Sequence, residues 1–99
     1  MTHFKDTLPE RLLQELLNKL GIKYRKHEPI IGQPDLFIEP NICIFADGDY
    51  WHNRPEAIER DKLVNKELIN KGYKVLRFWE NEIRSNIDNC ANRIKTEVK

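Results

Sequence analysis

Leucines recur at helical spacing near the start of the chain: Leu8, Leu12, Leu13, Leu16, Leu17 and Leu20 share one stripe of a 3.6-residue turn. Thr7 and Glu10 stand in capping-box relation, Pro9 falls in the first turn and Gly21 marks a stop, so the pattern predicts a helix over 7–20. Residues 22–27 (IKYRKH) then alternate like a half-exposed strand. Two short β-rich apolar runs follow, Leu36 to Ile38 and Ile42 to Ala46, joined by Glu39, Pro40 and Asn41. They predict a β-hairpin in the core. A second helix is expected from about Pro55 to Lys71, with Asn53 and Glu56 as a cap pair and Gly72 at its end. Tyr73 to Trp79 (YKVLRFW) reads as a central strand, and a last helix buries Ile83, Ile87, Cys90 and Ile94.

The order is helix, three strands, helix, strand, helix. It implies one α/β domain over residues 1–99, with a mixed central β-sheet flanked by helices. The second helix is a crossover between two strands, which makes that pair parallel.

Polar residues interrupt the apolar pattern at several core positions. In the second helix Ala57, Ile58, Val64, Leu68 and Ile69 mark one face, and Asp61 falls near its centre. A carboxylate there costs several kcal/mol unless paired or hydrogen-bonded. Pairing with an interior Arg or Lys, or capping a loop, explains it as readily as chemistry does. Asp35 opens an apolar strand and shares a side with Phe37 in alternation. Asp47 and Asp49 end the next strand in the turn ADGD, where turn formation is a sufficient reason for both. The hairpin register brings Asp35 toward that same strand end, and oxygen donors gathered there suit a hard cation such as Mg²⁺. His52 follows at once; held by a buried aspartate, a histidine serves as general base toward a water positioned by a metal. A structural histidine is the plainer alternative. Glu10 lies on the flank of the first helix, and its capping role accounts for it without catalysis.

Composition narrows the class without choosing the substrate. Hydrophobic residues at 39% and charged residues at 33% suit a globular domain and are too apolar for disorder. No apolar run approaches the roughly 18 residues of a membrane span and no leader is evident, so the chain reads as cytoplasmic. Cys43 and Cys90 have no partners at metal-site spacing and read as buried free thiols. A net charge of +1 does not announce DNA, so basic residues must cluster locally or another domain must supply affinity.

The ordered segments GQPDLFIEP, CIFADGDYWH and GYKVLRFWE, with Asp61 eleven residues before the last, resemble the very-short-patch-repair endonuclease family. That family is a branch of the PD-(D/E)xK, restriction-endonuclease-like nucleases, also represented in homing endonucleases with an EDxHD motif. The resemblance spans roughly residues 8 to 94. It implies a Mg²⁺-dependent DNA endonuclease, with Mn²⁺ able to substitute. By motif position Glu10 matches the first-helix glutamate and Asp35 the metal-binding aspartate. Ala46 sits where the family places a backbone carbonyl on the metal, and Asp47 stands beside it at a variable position. His52 matches the proposed general base and Asp61 the aspartate orienting it. Tyr50 and Trp51 match aromatics wedged into the base stack. Lys23, Arg25, Lys26, Arg54, Arg60 and Lys62 flank these residues in sequence and are candidate phosphate contacts or ordinary solvated surface.

Two departures qualify the resemblance. No lysine follows Asp47 or Asp49, so the usual D/E-x-K is absent and His52 must take the proton. The structural zinc ligands are replaced by Asp49, Arg54, Glu56 and Asn81, so zinc is not expected. A nuclease module served by a separate DNA-recognition domain on a longer chain fits the low net charge. A non-catalytic nucleic-acid-binding module, a structural domain with capped acidic turns, and a branched-DNA resolvase stand as rivals.

Overall fold

The computed structural model describes residues 7–48 and 54–98. The first helix, α1, spans Leu8–Leu20. Thr7 caps it, its Oγ1 accepting the Glu10 N–H at 3.4 Å, and Gly21 ends it in the left-handed region at φ 72°. The expected reciprocal half of the capping box is not formed. Glu10 turns inward instead and is buried with Pro9, Leu13 and Leu17, while Leu8 is exposed. The buried stripe is thus rotated toward Glu10, which is no flanking residue.

Four strands form one sheet in the order β1-β2-β3-β4: β1 (Arg25–Lys26), β2 (Leu36–Ile38), β3 (Ile42–Asp47) and β4 (Lys74–Trp79). The alternation over 22–27 yields only the two-residue β1, because its ladder reaches just Phe37 and Leu36 and His27 then leaves at φ 54°. β2 and β3 make the antiparallel hairpin, with Leu36 opposite Ile44 and Ile38 opposite Ile42. β3 pairs β4 in parallel from Ile42↔Lys74 to Asp47↔Trp79, as the crossover helix requires.

That crossover is α2 (Pro55–Asn70). Its N-cap position is Arg54, with no side-chain cap; Asn53, expected to cap it, lies outside the described residues. Its inner face is Ala57, Asp61, Val64, Asn65 and Leu68, of which Leu68 is fully buried, whereas Ile58 and Ile69 are exposed. The apolar face is therefore narrower than the sequence pattern suggested. The expected last helix is two, α3 (Glu80–Ser85) and α4 (Ile87–Val98). Asn86 breaks them at φ −148°, and its carbonyl accepts the N–H groups of Asn89 and Cys90 to start α4. Asparagine favours such caps over helix interiors. The buried spacing of Ile83, Cys90 and Ile94 survives the break.

The sheet has two dissimilar faces. One buries Leu36, Ile38, Ile42, Ile44, Leu76 and Phe78 against Leu13 and Leu17 of α1 and Ile83, Cys90 and Ile94 of α3 and α4. The other carries a smaller cluster, Phe37, Cys43, Phe45 and Leu68, with Val64 and Tyr73 against it. The loop from β1 to β2 presses on this second face. At Gly32 (φ 81°) a Cβ would stand 2.5 Å from the Val64 side chain, so only glycine fits. Both cysteines are free and buried. No helix among the described residues is long and apolar enough to cross a membrane.

Candidate active site

Asp35 stands just before β2, behind the fully buried Pro34. Its Oδ2 accepts the Ala46 N–H at 2.7 Å, so the side chain takes a ladder position at the end of the hairpin. Extending the register by two residues sets Ala46 opposite Pro34, which has no N–H to offer the Ala46 carbonyl. In an extended strand a residue's C=O leaves on the same edge as its N–H. The Ala46 carbonyl is thereby directed to Asp35's side of β3.

Glu10 reaches the same place from α1. It is 8% exposed and is the one buried charged residue among those described. Its carboxyl group adjoins that of Asp35. Asp35 is accordingly pushed up to about 8, first by burial and next by the Glu10 hydrogen bond. The charges of Glu10 and Asp47 add to the rise, and the Ala46 N–H opposes it. Among the described residues Glu10 Oε1 is buried with no hydrogen-bond partner, as is Gln14 Nε2 one turn further along α1. His27 comes close without bonding: its Nε2 lies 3.8 Å from Glu10 Oε1, and its backbone N–H donates to the Asp35 carbonyl.

A second acidic pair sits on the α2 face of the same sheet end. Arg77 Nη1 lies 3.3 Å from both oxygens of Asp47 and 3.7 Å from Asp61 Oδ2. Its Nε donates to Asn65 Oδ1 at 2.8 Å, and its guanidinium lies 4.1 Å over the Phe45 ring. Asp47, expected beside Asp35 on a metal, is thus held by Arg77 and reaches Asp35 only through its charge. Strand alternation is the reason: Asp47 shares a face with Phe45 and Cys43, away from Glu10 on α1. Asp61 does face inward, and its interior arginine partner is Arg77.

Tyr50, Trp51 and His52 lie outside the described residues, as does Asp49. Arg54 and Arg60 are exposed, and Lys62 borders a cleft of about 260 Å³ with Asp47, Asp61, Asn65, Arg77, Ile58 and Trp79. Lys23 and Arg25 are elsewhere. They line a cleft beside Glu39 and Val98 at the hairpin-turn end of the sheet, where Arg25 pairs with Glu39. The sequence pattern did not single out His27, Asn65 or Arg77. Arg77 was discoverable: strand alternation puts it on a core-facing side with Val75, the same anomaly that marked Asp61. Nothing in the local pattern distinguished His27.

Helices on both sides of a mixed sheet, with acidic groups gathered at one sheet end, describe a nuclease domain. Known proteins agree. The family described as "DNA mismatch endonuclease Vsr" matches residues 1–57. The type II nicking enzyme V.HpaIIP of Haemophilus parainfluenzae is 34% identical, over 95% of this chain and 82% of that enzyme. V.NmeDIP of Neisseria meningitidis serogroup C is 31% identical, over 96% and 79%. The catalytic domain of homing endonuclease I-Bth0305I superposes with a TM-score of 0.77 at 30% identity, covering 90% of this chain and 91% of that one. The chain belongs to the Vsr family of DNA endonucleases and has their restriction-endonuclease-like fold.

The residues present fit a hard cation. Two carboxylates, a backbone carbonyl and water make up the oxygen set that Mg²⁺ accepts, and it commonly uses only one or two carboxylates. Among the described residues no group of three or more His, Cys, Asp or Glu side chains would hold an ion unaided.

Proposed function

We propose that this chain cleaves a DNA phosphodiester by metal-dependent hydrolysis, with Mg²⁺, or Mn²⁺ in its place, held at the Glu10–Asp35 pair. The observation that carries this reading is the pair itself: the buried Glu10 carboxyl group adjoins the half-buried Asp35, whose pKa is pushed up to about 8, and Glu10 Oε1 has no hydrogen-bond partner among the described residues. Two acids forced together in a site of low polarity favour any cation that replaces the proton. Asp35 and the Ala46 carbonyl would hold the ion, Glu10 would complete its polar surroundings, and Asp47 adds negative charge from one face away. When bound, the ion supplies positive charge against the phosphate and the leaving oxygen. His52, by its place in the motif, takes a proton from the attacking water, and Asp61 orients it. Zinc has no place in this scheme.

Tyr50, Trp51, Arg54, Arg60 and Lys62 form the DNA-facing set in this reading: Arg54, Arg60 and Lys62 lie at the start of α2 or on it, the helix that follows the strand end carrying the acids, and Tyr50 and Trp51 enter by their place in the motif. Lys23 and Arg25 drop out of it, being at the other end with Arg25 engaged by Glu39. A separate recognition domain on a longer chain would supply the remaining affinity, because a net charge of +1 offers little. Nicking is the expected outcome, in keeping with relatives named as nicking enzymes.

Supercoiled plasmid incubated with the protein and Mg²⁺ tests this. The expected result is open-circular product that is abolished by EDTA and by Asp35→Ala. Cleavage that persists in EDTA, or in a folded Asp35→Ala variant, would overturn it.

A further inference from the structure

We infer that Arg77 is a positioning residue for cleavage, fixing the Asp61 carboxylate to the sheet; the inference rests on the role proposed above for Asp61. Three elements meet at its guanidinium: β3 through Asp47, α2 through Asp61 and Asn65, and β4, which bears Arg77 itself. This is not a solvated surface pair. The side chains of Arg77, Asp47 and Asp61 are 18%, 13% and 26% exposed. The planar group is held in place by the Phe45 ring beneath it, and Nε and Nη1 point to different acceptors.

The packing of α2 explains why this network governs Asp61. The helix is anchored by apolar contact mainly in its second half, through Val64 and Leu68. In its first half Ile58 is exposed, and the inward residues are Ala57 and Asp61. Apolar burial therefore does little to set the distance of Asp61 from the end of β3. The arginine fork does so instead, and it also keeps Asp47 and Asp61 from repelling each other. A lysine would supply the charge but not the fork, and could not bond Asn65 and reach both carboxylates together. With Nε on Asn65 and Nη1 between the two aspartates, Arg77 acts through them rather than as a phosphate contact. Its loss should lower the rate at saturating DNA without weakening DNA binding.

The test is single-turnover cleavage, DNA affinity and thermal unfolding on Arg77→Lys, Asn65→Ala, Asp61→Asn and the double variant Arg77→Lys/Asp61→Asn. Asn65→Ala removes the Nε acceptor and no charge, so it remains informative if Arg77→Lys unfolds. The expected result is a loss of about 10- to 100-fold in rate for Arg77→Lys, the usual effect of residues that orient a catalytic group. Asn65→Ala should lose less. DNA affinity should stay at the parent value, and the double variant should be no slower than Asp61→Asn alone. A folded Arg77→Lys that cuts at the parent rate while Asp61→Asn is slow overturns the inference and leaves the proposed function standing. It is equally overturned if Asn65→Ala cuts at the parent rate when Arg77→Lys does not fold, or if the two losses multiply in the double variant. If Asp61→Asn itself cuts at the parent rate, the role of Asp61 falls and the inference falls with it.

Discussion

Two acidic pairs occupy the same end of the sheet and differ in what neutralises them. Asp47 and Asp61 have a resident cation, Arg77, held by an aromatic ring and an asparagine. Glu10 and Asp35 have one peptide N–H, from Ala46, and a buried oxygen with no hydrogen-bond partner among the described residues. The first arrangement is complete as it stands. The second is costly by itself, since a buried polar atom without a partner forfeits about 1–3 kcal/mol. In the proposed function the open pair is the one that takes the ion.

Substitutions within the open pair should have the largest effects. Asp35→Ala removes the central oxygen donor and should slow cleavage by roughly 10³-fold or more, the equivalent of several kcal/mol of charge stabilisation. Quantified plasmid nicking measures this directly. His52→Ala should cost about 10²- to 10⁴-fold if the histidine accepts the proton, with DNA affinity unchanged. A folded His52→Ala protein that cuts at the parent rate would take the histidine out of the mechanism.

Glu10→Gln should separate activity from stability. The new amide can donate to Asp35, so the metal-free protein should gain about 1 kcal/mol by urea unfolding while its cleavage falls. A variant both less stable and fully active would mean that Glu10 is only a cap. A smaller effect concerns pH. The folded pKa of Asp35, about 8, lies above its ordinary value of 3.8, so the folded state holds this proton more tightly than the unfolded chain does. That contribution is fully present below about pH 4 and is lost as pH rises through about 8. Asp35's part of metal-free stability should therefore decline across this window, and the decline should be absent in Asp35→Asn. Millimolar Mg²⁺ should flatten it, because the ion takes the proton's place. Thermal melts of the two proteins from about pH 5 to about pH 8 show whether this slope exists.

Much of the fold was legible because it depends on period and punctuation. The leucine stripe with Thr7 and Gly21, the hairpin around Glu39 and Pro40, and the parallel crossover all follow from local pattern. The break at Asn86 was hidden because Ile83, Cys90 and Ile94 keep helical spacing across it. The site was legible in part. Asp35 and Asp61 showed as charges among apolar neighbours, and that inward placement is what the structure has. The inward turn of Glu10 was masked by its fit to a capping box, for which only the Thr7 half is used. Which partner Asp47 takes depends on which face of β3 it occupies relative to α1 and α2, and no local pattern carries that. That Lys23 and Arg25 line a cleft at the hairpin-turn end of the sheet depends on the β1–β2 register, which no local pattern carries.

Mn²⁺ binding by isothermal titration calorimetry, on the parent, Asp35→Ala and Asp61→Asn, separates the two pairs in one experiment. The expected result is binding by the parent and by Asp61→Asn, and none by Asp35→Ala. An Asp35→Ala protein that is folded and binds Mn²⁺ as tightly as the parent would contradict the assignment of the metal to the Glu10–Asp35 pair.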